Sequence, residues 1–356
     1  MVFAIDPARI QLHAQRLNEL ADTTPQTKLF LEDHLELTFL DTNVLFAKAI
    51  SGADDSRAAI CTFMDDLNTA LTDSATELEL TAKRSIELDD AIEAELDAAY
   101  PDEKKSGGQA SGAPEVSAPG ARPSDPSSLL IAPSAPAEDD LAAQILSIDW
   151  LSPTALILEL INLLPWNPVD EVQKNFAGDW DALNGISEAL TGTARYVKSQ
   201  GENVAFEMAT DAASWNGKAS EAAGAFFAEM DKLLRDAASQ IEKLAPEFAA
   251  VAKGMRSAAD TLTGLFTQIM DAMIVAAISY AAGAATAATG VGAIIGALAG
   301  TGAVAYIIWL AESAWEVIQA VLLIPELLTI AVGVLQTFLL TQPDLPKPTA
   351  YDNALV

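Results

Sequence analysis

Large apolar residues recur at intervals of three and four along most of the chain, and the period-two alternation of half-buried strands is scarce. Ala, Leu, Glu and Asp dominate the spacing, so the pattern predicts an all-α fold of long antiparallel helical hairpins or a bundle. Asp6-Pro7 reads as an N-cap followed by a proline in the first turn. Ile10, His13, Leu17 and Leu20 then form one face, and a turn is expected near Thr23-Thr24-Pro25. A second helical stretch runs through Phe30, Leu37 and Leu40, with Gly52 as its expected break. From Ser56 to about Tyr100 a regular stripe follows through Ile60, Phe63, Leu67, Leu71, Leu78 and Leu88, with Asp and Glu on the other faces.

The pattern stops at residues 101–140. Pro101, Pro114, Pro119, Pro123, Pro126, Pro133 and Pro136 lie there among Ser, Gly and Ala, and too little apolar surface is present to offset ordering entropy. This divides the chain into a small acidic helical domain over 1–100, a disordered linker over 101–140, a helical bundle over 141–340 and a frayed tail over 341–356. Leu156 to Leu164 reads as an apolar helix stopped by Pro165 and Pro168. Helical spacing resumes through Trp180, Leu183, Ile186, Leu190, Val197, Val204 and Met208, then breaks at Ser214-Trp215-Asn216-Gly217. It restarts through Ala222, Phe226, Met230, Leu233, Ala237, Ile241, Leu244 and Phe248 and continues to Val251, Met255 and Leu262, with a kink expected at Pro246. Glu316 to Leu340 is expected to be one final helix kinked at Pro325-Glu326. The linker permits the first domain to fold onto the second or to stand apart.

Charge changes the picture. The 356 residues carry a formal charge of -30, yet 51% are apolar, so charge and apolar surface must be segregated along the chain. A chain this acidic repels phosphate backbones, which excludes nucleic acid as an expected partner, and it repels anionic membrane surfaces unless apolar burial drives insertion. The segregation is most complete from Ala272 to Ala311, where no side chain is charged. A membrane-crossing helix needs about 20 apolar residues, so this run suffices for two crossings with a turn near Thr289-Gly290. Gly292, Gly296 and Gly300 repeat at the spacing that lets helices touch closely in a membrane or in a soluble core. A buried central hairpin and a membrane-inserting hairpin both fit the run.

Candidate chemistry is sparse. Cys61 stands alone, which excludes an intrachain disulfide and a thiolate metal cluster. His13 and His34, the two histidines, suit a solvated or capping role on helix faces better than general-base catalysis. No Gly-rich phosphate loop with a following Lys appears, and no cofactor, metal or enzymatic activity is expected. The N-terminus lacks the basic region and apolar core of a Sec-type signal peptide, so export is expected to take another route.

The most informative tripeptide is Trp215-Asn216-Gly217, which sits between two long amphipathic patterns. A flat side chain can plug the gap where two helices splay from a tight turn, and a glycine two positions on allows backbone angles forbidden to bulkier residues. Together with Phe176-Ala-Gly-Asp-Trp180 and the Ala/Gly-rich stretch Ala281 to Gly292, this resembles the WXG family exported by type VII (ESX) machines of actinobacteria, over roughly residues 165 to 310. The first hundred residues are similar to small ESX secretion-associated, PE-like proteins, and the whole resembles a fusion of PE-like and PPE-like halves.

The resemblance implies a secreted or cell-surface, non-enzymatic substrate or structural component of type VII secretion. It would act by helix packing with a partner, an export chaperone or a second copy, with Trp215 and Gly217 at the hairpin apex as the export element. The family's Tyr-x-x-x-Asp/Glu signal is missing after Tyr100, Tyr196, Tyr280, Tyr306 and Tyr351, which leaves that signal to a partner or a degenerate element. The alternatives are a membrane-inserting or pore-forming protein using 272–311, and the export module of a polymorphic toxin. Too few residues follow Leu340 for a catalytic domain.

Overall fold

A computed structural model describes residues 5–37, 44–99, 123, 125–134, 140–146, 166–283 and 302–341. The fold is all-α, with no strand among the described residues. The expected helix at Leu156–Leu164 and the candidate packing glycines Gly292, Gly296 and Gly300 lie outside them.

Helix α1 (Pro7–Ala21) starts as its sequence requires: the Asp6 carboxylate accepts from the Ala8 and Arg9 amides, and Pro7 fills the first position, where an amide hydrogen has no helical partner. Ile10, His13, Leu17 and Leu20 are all buried. The chain turns at Asp22-Thr23 into α2 (Thr24–Leu35). Helix α3 (Val44–Ala99) then runs for 56 residues, about 84 Å at the α-helical rise. It passes straight through Gly52, which corrects the expected break. Leu328 and Val332 of a later helix lie across that glycine, so its lack of a side chain serves packing between helices. The stripe stays buried through Leu78, but Leu88 is exposed.

Residues 125–134, within the segment expected to be a linker, take a defined course. Asp125-Pro126 repeats the Asp6-Pro7 device: the carboxylate accepts from the Ser127 amide and opens a 3₁₀ turn at Pro126–Leu129, with Pro126 buried. That turn lies against α6, where the Ser134 amide donates to Glu188. A short helix α4 (Leu141–Leu146) and α5 (Pro168–Phe176) follow, α5 capped by Asn167 with Pro168 next.

The bundle is organised by α6 (Ala182–Asp211) and α7 (Lys218–Gly283), which form the most extensive helix pair among the described residues. Every stripe residue expected on α6, from Leu183 to Met208, is buried. On α7, Leu234 takes the core position expected for Leu233, one residue along. The helix continues through Pro246 for 66 residues in all, about 100 Å. Instead of one kinked terminal helix there are two, α8 (Ala303–Val321) and α9 (Ile324–Thr341), broken at Leu322-Leu323 so that Pro325 falls in the first turn of α9, where it is tolerated.

The helices of the first hundred residues do not stand apart. Helices α1 and α2 lie on α6, α3 packs along α9, and one continuous apolar core includes Leu17, Leu67, Leu190, Phe248 and Leu328.

Candidate functional site

The turn between α6 and α7 is fastened from both sides. Asp211, the last residue of α6, accepts from the amides of Ser214 at 2.9 Å and Trp215 at 2.8 Å, which folds the chain back on its own carbonyl. Trp215 is 2% exposed and belongs to the continuous core. Its carbonyl accepts from the Ser220 hydroxyl at 2.7 Å, and Gly217 accepts from the Glu221 amide at 3.0 Å to open α7. Gly217 has φ +121°, a conformation that side-chain-bearing residues rarely adopt. Trp215 and Gly217 therefore stand at a hairpin apex: the indole fills the crotch and the glycine makes the reversal.

Behind this turn lies an ionic cluster. Glu207 and Asp211 are one helical turn apart on α6, and Arg9 and His13 are one turn apart on α1, so two acidic groups meet two basic ones across the helix pair. Arg9 donates to Glu207 at 2.6 Å, and its Nε lies 3.0 Å from Asp211 Oδ1 as an ionic contact without hydrogen-bond alignment. His13 Nδ1 and Asp211 Oδ2 are 2.5 Å apart; the carboxylate can only accept, so the ring donates. The other face of His13 meets Phe227 of α7, with centroids 4.9 Å apart. His13 is neither solvated nor a cap, as its sequence position suggested; it and Asp211 are fully buried. A His–Asp pair is a frequent element of catalytic sites, but this one is fully buried, and His13 Nε2 has no hydrogen-bond partner among the described residues. His34, the other histidine, stacks edge-on against Phe30 at 4.7 Å.

A second network holds the α1–α2 corner on α6. The Tyr196 hydroxyl shares a hydrogen bond with the Thr23 hydroxyl at 2.7 Å and accepts from Gln200 at 2.6 Å, while Gln200 also donates to Thr23 at 2.9 Å. Burial pushes the Tyr196 phenol up from its ordinary value, and its side-chain hydrogen bonds with Thr23, Thr27 and Gln200 offset part of that rise.

The Phe176-to-Trp180 segment has a third role. Gly178, at φ +120°, presents its bare backbone to the Phe46 ring of α3, which would lie 2.7 Å from any added Cβ. Phe46 meets Trp180 edge-on at 5.1 Å, and the Trp180 indole donates to the Phe176 carbonyl at 3.0 Å. Asp181, next in sequence, pairs with Arg256 of α7. The loop is a socket that joins α3 to α6 and α7.

No group of His, Cys, Asp and Glu among the described residues is placed to hold a metal ion. Cys61 is half-buried beside a shallow depression lined by Glu32, Glu36, Arg57 and Ala58, and burial pushes its thiol up, which disfavours the reactive thiolate.

The remaining surface feature is apolar. Val304–Thr341 is apolar enough, by length and composition, to cross a membrane, and only 28% of its most apolar window is buried. Tyr306, Trp309, Leu323, Leu327, Ile330 and Val334 all face outward. A search of protein-family models, of curated proteins and of solved structures finds no match to this chain.

Proposed function

We propose that this chain is a non-enzymatic substrate or structural component of type VII (ESX) secretion that acts by packing its helices against a partner or a second copy. The observation that carries the reading is the tryptophan-plugged apex: Trp215 buried at the reversal of two long paired helices, with Gly217 at positive φ two residues on. The buried His13–Asp211 pair, which ties α1 to α6, fits a protein that works by shape. In this reading α1 and α2 stay docked on α6 during export, so the PE-like and PPE-like parts travel as one body.

The test is release from an actinobacterium with a working type VII apparatus, compared with the same strain lacking the type VII ATPase. Release into the medium should stop in the second strain, while the protein accumulates inside. Equal release from both strains would sink the proposal.

A further inference from the structure

Helix α9 is apolar on two opposite faces. Leu328, Val332 and Leu335 are buried, and the first and second of these cross Gly52 of α3. The opposite face carries Leu327, Ile330 and Val334, and Leu323 in the turn before the helix extends it; all four are 55–67% exposed. The bundle needs only the first face. A row of large apolar side chains on the second marks a contact surface.

Spacing and width say what such a row suits. Its members follow one another at intervals of four, three and four residues, the repeat of a helix that packs along another helix. At about 100° per residue they fall within about 60° of arc. A helix against a broad core presents an apolar arc of about 100° or more, and a helix lying in a bilayer surface carries Lys and Arg beside its apolar face. Helix α9 has neither Lys nor Arg. Glu326, Thr329 and Thr337, all exposed, border the row on one side, as a polar rim borders the apolar centre of a protein interface. Gly333 lies on the same border with open space where a Cβ would be, which leaves the backbone bare for a close neighbour.

Charge and area select the occupant. A basic partner would be drawn to a chain of net charge -30, but this face offers it nothing, because the one charged residue of α9, Glu326, is paired with Lys48 of α3. Two copies of the chain repel each other over most of their surface and approach at least cost where charge is lowest. A narrow apolar row is also self-complementary about a twofold axis, since the same four side chains supply both halves. Each buried Leu, Ile or Val removes roughly 60–120 Å² of apolar surface from water. Four give about 250–500 Å² per copy, less than the roughly 800 Å² of a standard interface, so the pair is weak and reversible.

We infer that α9 is a self-association helix, whose row Leu323, Leu327, Ile330 and Val334 packs on the same row of a second copy. This deepens the reading above by naming the face that packs. It is measured on the purified chain, so its failure and a failure of the export test are separate results.

The experiment is sedimentation velocity of the full chain from about 1 to 200 µM, the range in which a weak pair dissociates. The wild type should pass from monomer to dimer, and added salt should favour the dimer, because screening weakens the repulsion between acidic copies and leaves apolar contact intact. Leu327→Glu/Ile330→Glu should raise the dissociation constant about tenfold or more, since pairing would bury carboxylates without partners. Its circular dichroism should be unchanged, both residues being exposed in the single chain. Trp309→Glu, at an exposed aromatic of α8, should pair like the wild type and so locate the contact on α9. A wild type that stays monomeric throughout, whether or not it floats with phosphatidylcholine vesicles, would overturn the inference. So would a double variant that pairs equally, a Trp309→Glu variant that loses as much, or a dimer that salt dissociates.

Discussion

The two ends of α7 are built on opposite principles. At its start the chain reverses through Trp215 and Gly217, and every nearby device faces inward: a buried indole, a carbonyl that gathers two amides, and two carboxylates tied to Arg9 and His13. At its far end the chain carries no charge, and large side chains such as Val275 and Trp309 face outward. The first end spends polar groups on holding one shape in water. The second presents apolar side chains such as Trp309 to solvent. The contrast sets a polar, inward-facing end against an apolar, outward-facing one.

The comparison breaks first at Asp211. Asp211→Ala leaves a buried guanidinium and a buried imidazole without their shared carboxylate, so it should cost about 3–5 kcal/mol, read as a lowered urea midpoint. Replacing Arg9, His13, Glu207 and Asp211 together by apolar residues of similar volume should recover most of that loss, because the whole cluster, and not one partner of it, is then removed. If Asp211→Ala moves the midpoint by less than about 1 kcal/mol, the cluster does not fasten the turn.

Gly217→Ala comes next. At φ +121° a Cβ is strained whatever space surrounds it, and a cost of about 1–3 kcal/mol is expected. The same substitution at Gly264, which is helical and has nothing near its Cβ position, should be neutral or stabilising. Equal effects at both positions would remove the argument that the reversal needs a glycine.

Tyr196 gives a smaller, pH-dependent effect. Its phenol titrates higher in the folded chain than in the unfolded one, so the folded state holds that proton more tightly. The contribution is whole below the unfolded value of 10.0 and is lost as pH rises through the folded one. Tyr196→Phe should cost about 1 kcal/mol at neutral pH through its lost hydrogen bonds and should flatten the decline above about pH 10. Denaturation at neutral and alkaline pH measures both. An unchanged alkaline decline in the variant would mean that other groups cause it.

How much of this was legible in the sequence follows from which forces act locally. The stripes of α1, α6 and α7 could be read because a 3.6-residue period exposes the buried face directly, and Asp6-Pro7 could be read because capping is a contact between neighbours. The turn at Trp215 was legible for the same reason. The ion cluster was missed because its halves lie 198 residues apart. A signal was present, however: Glu207 and Asp211 fall three residues after Val204 and Met208, so two carboxylates occupy core positions of the α6 stripe. Gly52 misled because a glycine reads as a break until the helix crossing it is known. The order at 125–134 was hidden by its neighbours' composition, although Asp125-Pro126 repeats the very cap recognised at Asp6-Pro7.

The smallest expected effect is the most telling for the comparison. Trp309→Glu alone should shift the urea midpoint by no more than about 0.5 kcal/mol, although it replaces a large aromatic with a charge. The indole stacks on Tyr306 and otherwise projects outward, so its removal opens no cavity and buries no charge. Trp215→Ala, at the turn that opens α7, should cost about 3–5 kcal/mol. Two tryptophans of one chain would then differ severalfold in what they contribute to folding. If Trp309→Glu destabilises the protein as much as Trp215→Ala does, the far end is packed in water after all, and the division of α7 into a fastened end and an open one fails.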